Sequence, residues 1–387
     1  MLIQNKQIAI IGAGPAGLTL ARLLQLKGAL VKVYERDFNK NARVQGSPLD
    51  MHEESGSAAL RKANLWEEFI KNVHVGADKK VIVNEQAEIV FSDHNLANTG
   101  DLTGKNFRPE IDRGSLRKVL LESLKPETVI WDSHLVSMEK QNEGWRLHFK
   151  NGLTVYADIV IAADGANSKI RPYITRIKPF YSGVTMVEIN IRDAEKATPH
   201  IYTLLNGGKI MAFGDTKCLL GGQKGKNDLG FYLSFKTYEN WAIDNGLDYS
   251  DNVQLLEWFK HEYSGWSGYW YQLLENAVTP LIPRPIYCMP LDQTWETIPN
   301  LTMIGDAAHV MPPFAGEGAN MSMRDSLELS ECLTSDKFKT LQEAISSYEV
   351  NMRKRAATAA QESLANGERM HSIGALEKML SVFDRNP

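Results

Sequence analysis

The hydrophobic pattern opens on a short β-branched run, "IAII" at 8–11, that stops at Gly12-Ala13-Gly14-Pro15-Ala16-Gly17. Behind the glycines Leu18, Leu20, Leu23, Leu24 and Leu26 supply an apolar helix face, Gly28 ends it, and "LVKVYE" is strand again. A second run, "DIVIAA" at 158–163, turns at Asp164-Gly165, with Ser168, Lys169 and Arg171 just beyond. A third, "LTMIGDAAH" at 301–309, reaches Gly305-Asp306 and is broken by Pro312-Pro313. It restarts as a helix behind Gly316-Glu317-Gly318.

Between the second and third runs, "SGVTMVEINI", "HIYTLLNGGKIMAFG", "KCLLGGQKG" and "GFYLSFK" (all within 178–236) read as strands of a mixed or antiparallel sheet. Residues 253–274 read as helical and aromatic-rich, with Trp258, Trp266, Trp270 and Tyr271 assigned to packing. "LIPRPIYCMPL" reads as an edge strand or an extended return. From 336 onward a long helical stretch is predicted, closed by the short amphipathic "LEKMLSVF".

The first turn meets the needs of a dinucleotide. Gly12 allows the tight turn, Gly14 lets the backbone approach a pyrophosphate, and Gly17 lets the helix pack near the strand. The helix start, from Ala16 on, then presents N–H groups and a positive dipole end to the phosphates. Glu35 stands close to the roughly 20-residue spacing of a ribose-binding acid. Arg36, after it, is either an adenine or phosphate contact or a solvated strand-end charge.

Composition narrows the partners. At 387 residues the chain allows two or three domains, or one large α/β unit with an insert. A net charge of −4 suggests no nucleic-acid partner, while small anionic cofactors need only local positive charge. Cys218, Cys288 and Cys332 are far apart without a C-x-x-C, and no histidine pair has H-x-x-x-H spacing. Neither a disulfide framework nor a metal site is expected, and a reducing cytoplasm fits best. No uninterrupted apolar run reaches 18 residues, so no membrane span is expected.

Together, the N-terminal fingerprint, D-G-x-x-S-x-x-R from Asp164 to Arg171, and G-D-A-A-H-x-x-x-P-x-x-G-x-G-x-N from Gly305 to Asn320 resemble the class A flavoprotein aromatic hydroxylases. The resemblance implies an α/β fold: a Rossmann-like FAD-binding domain of the para-hydroxybenzoate hydroxylase type, an inserted β-sheet substrate domain and a long C-terminal helix. The expected boundaries are 1–72, 106–176 and 287–332 for the FAD part, 73–105 and 177–286 for the substrate part, and 333–387 for the bridging helix.

The resemblance also implies tightly but non-covalently bound FAD, NADPH as a transient visitor and O2 as co-substrate, with oxygen delivered through a C4a-hydroperoxyflavin. No second G-x-G-x-x-G is present for the nicotinamide nucleotide. In the family, Asp306 holds the ribityl chain and Pro312-Pro313 fixes an extended path beneath the flavin. Gly316, Gly318, Ala319 and Asn320 begin a helix aimed at its N1/C2=O edge. Asp164 and Gly165 lie near the pyrophosphate and the visiting nucleotide. Arg43, Asp50 and Arg113 match positions near the cofactors; a solvated charge or an ordinary turn acid is the other reading of each.

Over nearly the full length, through "LDMH", "PEIDR", "TVIWD" and "GDAAHVMPPFAGEG", the chain is most similar to the tetracycline-inactivating flavin monooxygenases. That implies a small-molecule substrate, antibiotic inactivation and a monomer. The pocket departs from the pattern: Glu188, Lys209 and Gly230 stand where those enzymes place a glutamine, an arginine and a histidine. Met211, Phe314, Asn366 and Met370 match its apolar side, while Leu220 replaces an aromatic ring. Another polyketide, phenol or enol therefore competes with tetracycline as substrate, and an FAD- or drug-sequestering protein is the non-enzymatic alternative. No strong catalytic dyad is expected; Glu188 is either a weak candidate base that helps deprotonate an enol or phenol, or a plain polar strand residue.

Overall fold

A computed structural model describes residues 1–42, 48–73, 76, 77, 79–94 and 108–384; Arg43 lies outside the described residues. The three apolar runs become neighbours in one sheet. Strands β1 (Gln7–Ile11), β2 (Leu30–Tyr34), β7 (Val129–Ile130), β11 (Ile159–Ala162) and β17 (Leu301–Met303) assemble in the order β17-β11-β1-β2-β7. Every pair in it is parallel. Burial on both faces explains the near-continuous Val/Ile composition: all of β11 and β17 is buried.

Helices α1 (Pro15–Leu26) and α2 (Arg113–Glu122) pack together on this sheet, and the meander β8 (Leu135–Gln141), β9 (Gly144–Phe149), β10 (Thr154–Ala157) lies against β1 and β11. A two-stranded ribbon, β3 (Leu49–Asp50) with β6 (Glu110–Ile111), stands beside it.

The second sheet has the order β16-β12-β15-β14-β13-β4-β5. Its strands are β4 (Lys80–Asn84), β5 (Ile89–Ser92), β12 (Phe180–Ile191), β13 (Lys209–Gly214), β14 (Lys217–Gln223), β15 (Leu229–Lys236) and β16 (Ile282–Cys288). All neighbours are antiparallel except β13 and β4. One face (Val187, Ile189, Ile191, Phe231, Leu233) packs under α3 (Asn252–Glu262), with Trp266 and Trp270 buried there and Trp258 and Tyr271 packed alongside. The stretch expected as strand before β13 is instead helical at Pro199–Leu205, because Pro199 supplies a fixed φ at the first helical position.

Helix α4 (Gly318–Thr334) follows the proline-rich turn, and α5 (Leu341–Met370) packs on it. The last long helix begins at 341 rather than 336. Thr340 and Glu343 form a reciprocal capping box there, which sets the boundary. After Met370 the chain turns, Gly374 takes φ +69°, and α6 (Ala375–Asp384) lies against β13. Among the described residues no helix is long and apolar enough to cross a membrane, and no cluster of side chains suits a metal ion.

Candidate active site

Because β17, β11 and β1 are adjacent and parallel, the three loops that follow them meet at one sheet edge. Contacts fix how closely. Gly12 has φ +107°, and a Cβ on it would lie 2.3 Å from the Ala163 carbonyl oxygen. A Cβ on Gly17 would lie 2.1 Å from the Gly12 carbonyl. These two glycines are required by the protein itself. Gly14 and Gly318 differ: neither has a positive φ, and a Cβ on either would meet nothing within 4 Å; Gly165 also has open space beside it, but its φ of +82° itself calls for glycine. Glu35 is buried, accepting the Ala13 N–H (2.6 Å) and the Asp37 N–H (2.9 Å) and so bracing the turn; Arg36 is exposed.

Arg171, which the motif supplies without explaining, clamps the second loop to the third. Its guanidinium donates to the carbonyls of Ala307 (2.7 Å), Asp306 (2.9 Å) and Ala166 (2.9 Å). Ser168 accepts the Ile170 and Arg171 N–H groups and holds this turn. Asp164 accepts the Lys169 N–H with one carboxylate oxygen, while its buried Oδ1 has no hydrogen-bond partner; burial raises its pKa. Asp306 is accessible to solvent yet closely walled in by protein, as at the floor of a cleft. Burial raises its carboxyl pKa against the pull of His309, Arg113 and Arg171.

Under this floor lies a buried network absent from the sequence reading. Asp325, on α4, accepts the Gly305 N–H (2.8 Å), His309 Nε2 (2.5 Å) and Arg355 Nη2 (2.7 Å). Burial opposes charge on both, yet Asp325 and Asp306 raise the His309 pKa, and His309, Arg355 and the Gly305 N–H lower that of Asp325.

The second wall is the segment 49–57. Asn320 is buried and its side chain is committed to the protein: Oδ1 accepts the His52 and Gly56 N–H groups, and Nδ2 donates to the Asp50 carbonyl. What Asn320 and Ala319 offer a ligand is therefore backbone at the start of α4. Gly316 takes φ +70° to allow that start just after Pro313.

His52 bridges two carboxylates, with Nε2 3.1 Å from Asp50 Oδ2 and Nδ1 3.1 Å from Glu317 Oε1. Burial opposes charge on His52, but the two carboxylates raise its pKa to about 9. Burial likewise opposes charge on Asp50, yet His52 and Lys209 bring it to about 2.

The His52 contribution to stability is complete below its ordinary 6.5 and is lost as pH rises through about 9. That of Asp50 is present above 3.8 and lost as pH falls through about 2. We expect thermal melts of wild type to drop on raising pH through 9, by on the order of 2–3 kcal/mol of unfolding free energy. His52→Gln should lack that component; identical pH profiles for the two proteins would show that the bridge does not form.

Five of the predicted substrate residues, Glu188, Lys209, Met211, Leu220 and Gly230, come from one face of the second sheet, opposite its buried core, while Phe314 lies in the proline turn and Asn366 and Met370 on α5. Register places Asn190, Gly230, Gly222 and Lys209 in one cross-strand row. Glu188, Tyr232, Leu220 and Met211 form the next. Met211, Leu220, Phe314 and Met370 share an apolar cluster with Ile82 and Phe213, so the turn after Pro313 touches this face. Asn366 donates to the Phe314 carbonyl (3.3 Å), and a Cβ on Gly367 would press on the Phe314 ring at 2.6 Å.

Lys209 is ion-paired with the buried Glu110 of β6. Glu188, the candidate base, is buried and ion-paired with Arg284 (2.6 Å to Nε, 2.5 Å to Nη2). The pairing commits this carboxylate to holding Arg284 in place. Arg113, at the start of α2, lies within electrostatic reach of both Asp306 and Lys224, a residue of the β14–β15 turn that the sequence reading passed over.

With this geometry in view, the comparison with known proteins is direct. The family described as FAD binding domain matches residues 5–200 and 297–363. The chain belongs to that family. Within it, it is a class A flavoprotein, an FAD-dependent monooxygenase of the aromatic hydroxylase type.

The monooxygenase asqM of Emericella nidulans is 28% identical over 377 residues, covering 84% of this chain and 83% of that protein. The 6-hydroxynicotinate 3-monooxygenase of Pseudomonas fluorescens is 26% identical, covering 92% and 89%. In structure, Klebsiella pneumoniae HpxO with FAD and uric acid shares the fold (TM-score 0.75, 18% identity, 97% of this chain and 92% of that one). So does tetracycline destructase Tet(51) (TM-score 0.71, 15% identity, 98% and 94%).

The residues fit FAD by their own geometry. Gly14 and Gly318 leave open space with no backbone reason for glycine, a buried Asp164 oxygen has no hydrogen-bond partner, and the accessible Asp306 carboxylate beside them is able to accept from a polyol hydroxyl.

Proposed function

We propose that this flavoprotein consumes NADPH and O2 to hydroxylate an electron-rich phenol or enol held on the sheet face of Glu188, Tyr232, Leu220 and Met211. One observation supports this reading most: Phe314, next to Pro313 of the cofactor loop, packs into the same apolar cluster as Met211, Leu220 and Met370. The cofactor loop and the substrate face thus share a wall.

FAD, when bound, supplies the redox chemistry. The chain supplies placement. Gly14, Gly165 and Gly318 leave room for the nucleotide, and Asp306 accepts from its polyol. Arg113 and the positive end of α4 favour negative charge near the ring. Phe314, Met211, Leu220 and Met370 keep water from the reacting carbon. Glu188 and Arg284 orient the substrate's polar edge.

Tetracycline-type drugs are the second reading, favoured by the breadth of this apolar cluster. The test is mass spectrometry of products formed with NADPH and 18O-labelled O2, using tetracycline beside simple phenols and cyclic enols. A two-mass-unit increment over the unlabelled product identifies a substrate. NADPH oxidation that no ring compound accelerates, with no label incorporated, would remove the hydroxylase reading.

A further inference from the structure

We propose that Lys224 is a specificity residue whose ammonium, lying over Gly230, binds an anionic oxygen of the ring substrate, either a carboxylate or an ionised enol. This rests on the hydroxylase reading for the identity of the ring, though not for the binding itself.

The placement comes from the sheet. Gly222 and Gly230 are neighbours in the same cross-strand row, so two adjacent positions on this face carry no side chain. Lys224 folds back from the β14–β15 turn into the space at one of them. A Cβ on Gly230 would stand 2.3 Å from Lys224 Cε and 2.7 Å from Nζ. Glycine at 230 thus admits a cation from a different strand position, which is why the sequence reading saw only a missing histidine there.

The partners show why this cation is available. Lys209 and Arg284, on the same face, are each paired with a carboxylate, Glu110 and Glu188. Lys224 donates instead to Asn190 Oδ1, a neutral amide oxygen, at 2.5 Å. Asn190 Nδ2 reaches Glu188 Oε1 at 3.4 Å, so the amide is oriented with its oxygen toward the lysine. An ammonium has three donors, and one is used by this bond.

Glu188, Asp112 and Asp228 attract Lys224 at longer range, while Arg113 repels it; burial is the largest influence and lowers its pKa. A half-buried cation satisfied by an amide gains most from an anionic ligand that replaces its lost hydration. The apolar row of Leu220 and Met211 beside it receives the ring. Arg113 links the position electrostatically to the cleft floor at Asp306.

The experiment measures binding of matched probes to the FAD-loaded protein by calorimetry. Salicylate is set against salicylamide, and ionised 1,3-cyclohexanedione against its neutral enol methyl ether. Wild type is expected to favour at least one anion over its neutral twin by roughly tenfold or more. The pair that shows the preference tells carboxylate from enolate. Lys224→Met should erase the preference, Lys224→Arg should keep part of it, and Gly230→Ala should weaken it by displacing the lysine stem. FAD content and melting temperature should stay at wild-type values in all three.

Equal affinity for both members of each pair in wild type, failure to bind any probe, or an undiminished preference in folded, FAD-loaded Lys224→Met overturns the proposal. A preference that vanishes in Lys224→Met while no phenol or enol acquires labelled oxygen would uphold Lys224 and sink the hydroxylase reading instead.

Discussion

Gly14→Val is expected to yield a colourless protein whose melting temperature equals that of FAD-free wild type. The reasoning starts from the empty space beside Gly14. Its φ of −77° and ψ of 179° are open to any residue, and an added Cβ would meet nothing within 4 Å. It is also the residue before Pro15, an environment that already favours extended backbone. Nothing in the protein demands glycine there, so a folded variant is expected. A bound pyrophosphate, by contrast, must approach this backbone closely.

Valine places branched methyl groups in that approach, and we expect FAD affinity to fall by about 100-fold or more, roughly 2.7 kcal/mol. Gly12→Val and Gly17→Val are the controls that should fail differently. Each drives a side chain into backbone at 2.3 Å or 2.1 Å, and Gly12 also has φ +107°, so both lose the fold before they lose the cofactor. The checks are the flavin absorbance of the purified proteins and their melts with and without added FAD. A yellow Gly14→Val protein with wild-type affinity would place the pyrophosphate elsewhere.

That contrast shows what a linear reading can reach. Glycine spacing, a strand's last acid and a proline pair are local signals, and adjacent parallel strands turn such local turns into one edge. The meeting of the Gly12–Gly17, Asp164–Gly165 and Gly305–Asp306 turns was legible for this reason. The cross-strand row of Asn190, Gly230, Gly222 and Lys209 depends on the register of four strands, which no short window encodes.

Lys224 illustrates the difference. Read as sequence it is one of several turn lysines, and only folding lays its ammonium over a glycine on the next strand. Glu188 shows the reverse. As a carboxylate on the substrate face it suggested a base, but the return strand brings Arg284 onto it as an ion-pair partner. Asn320 was legible as a motif member, yet its side chain serves the 50–56 segment 264 to 270 positions away. Arg171 was legible as a motif member, but its clamp on the Asp306 and Ala307 carbonyls was not, and His52 and Asp325 were missed because Glu317 and Arg355 reach them only in the fold.

The largest stability effect is expected at Asp325. Removing it with Asp325→Ala takes the hydrogen-bond partner from buried His309, frees one end of Arg355 and abandons the Gly305 N–H, all in one step. His309 and Asp325 are both nearly inaccessible, so solvent cannot take over these charges. Breaking a buried pair of this kind costs about 3–5 kcal/mol. Without Asp325 the main pull that raises the His309 pKa is gone, burial favours the neutral ring, and part of that loss is recovered.

The loss also travels. Gly305 and Asp306 form the turn that Asp325 holds from below, so the cofactor floor loosens together with the link from α4 to α5. Urea unfolding of the FAD-free protein should therefore show a midpoint shift equivalent to about 3 kcal/mol or more. Added FAD should restore less stability to the variant than to wild type, because weaker binding contributes a smaller linkage term. Asp325→Asn keeps one oxygen, which in the place of Oδ2 still accepts from both the Gly305 N–H and His309 but loses the charge, and should fall between the two. A variant that unfolds within about 1 kcal/mol of wild type, and gains as much from FAD, would mean that His309 and Arg355 find other partners and that the floor is held by Arg171 alone.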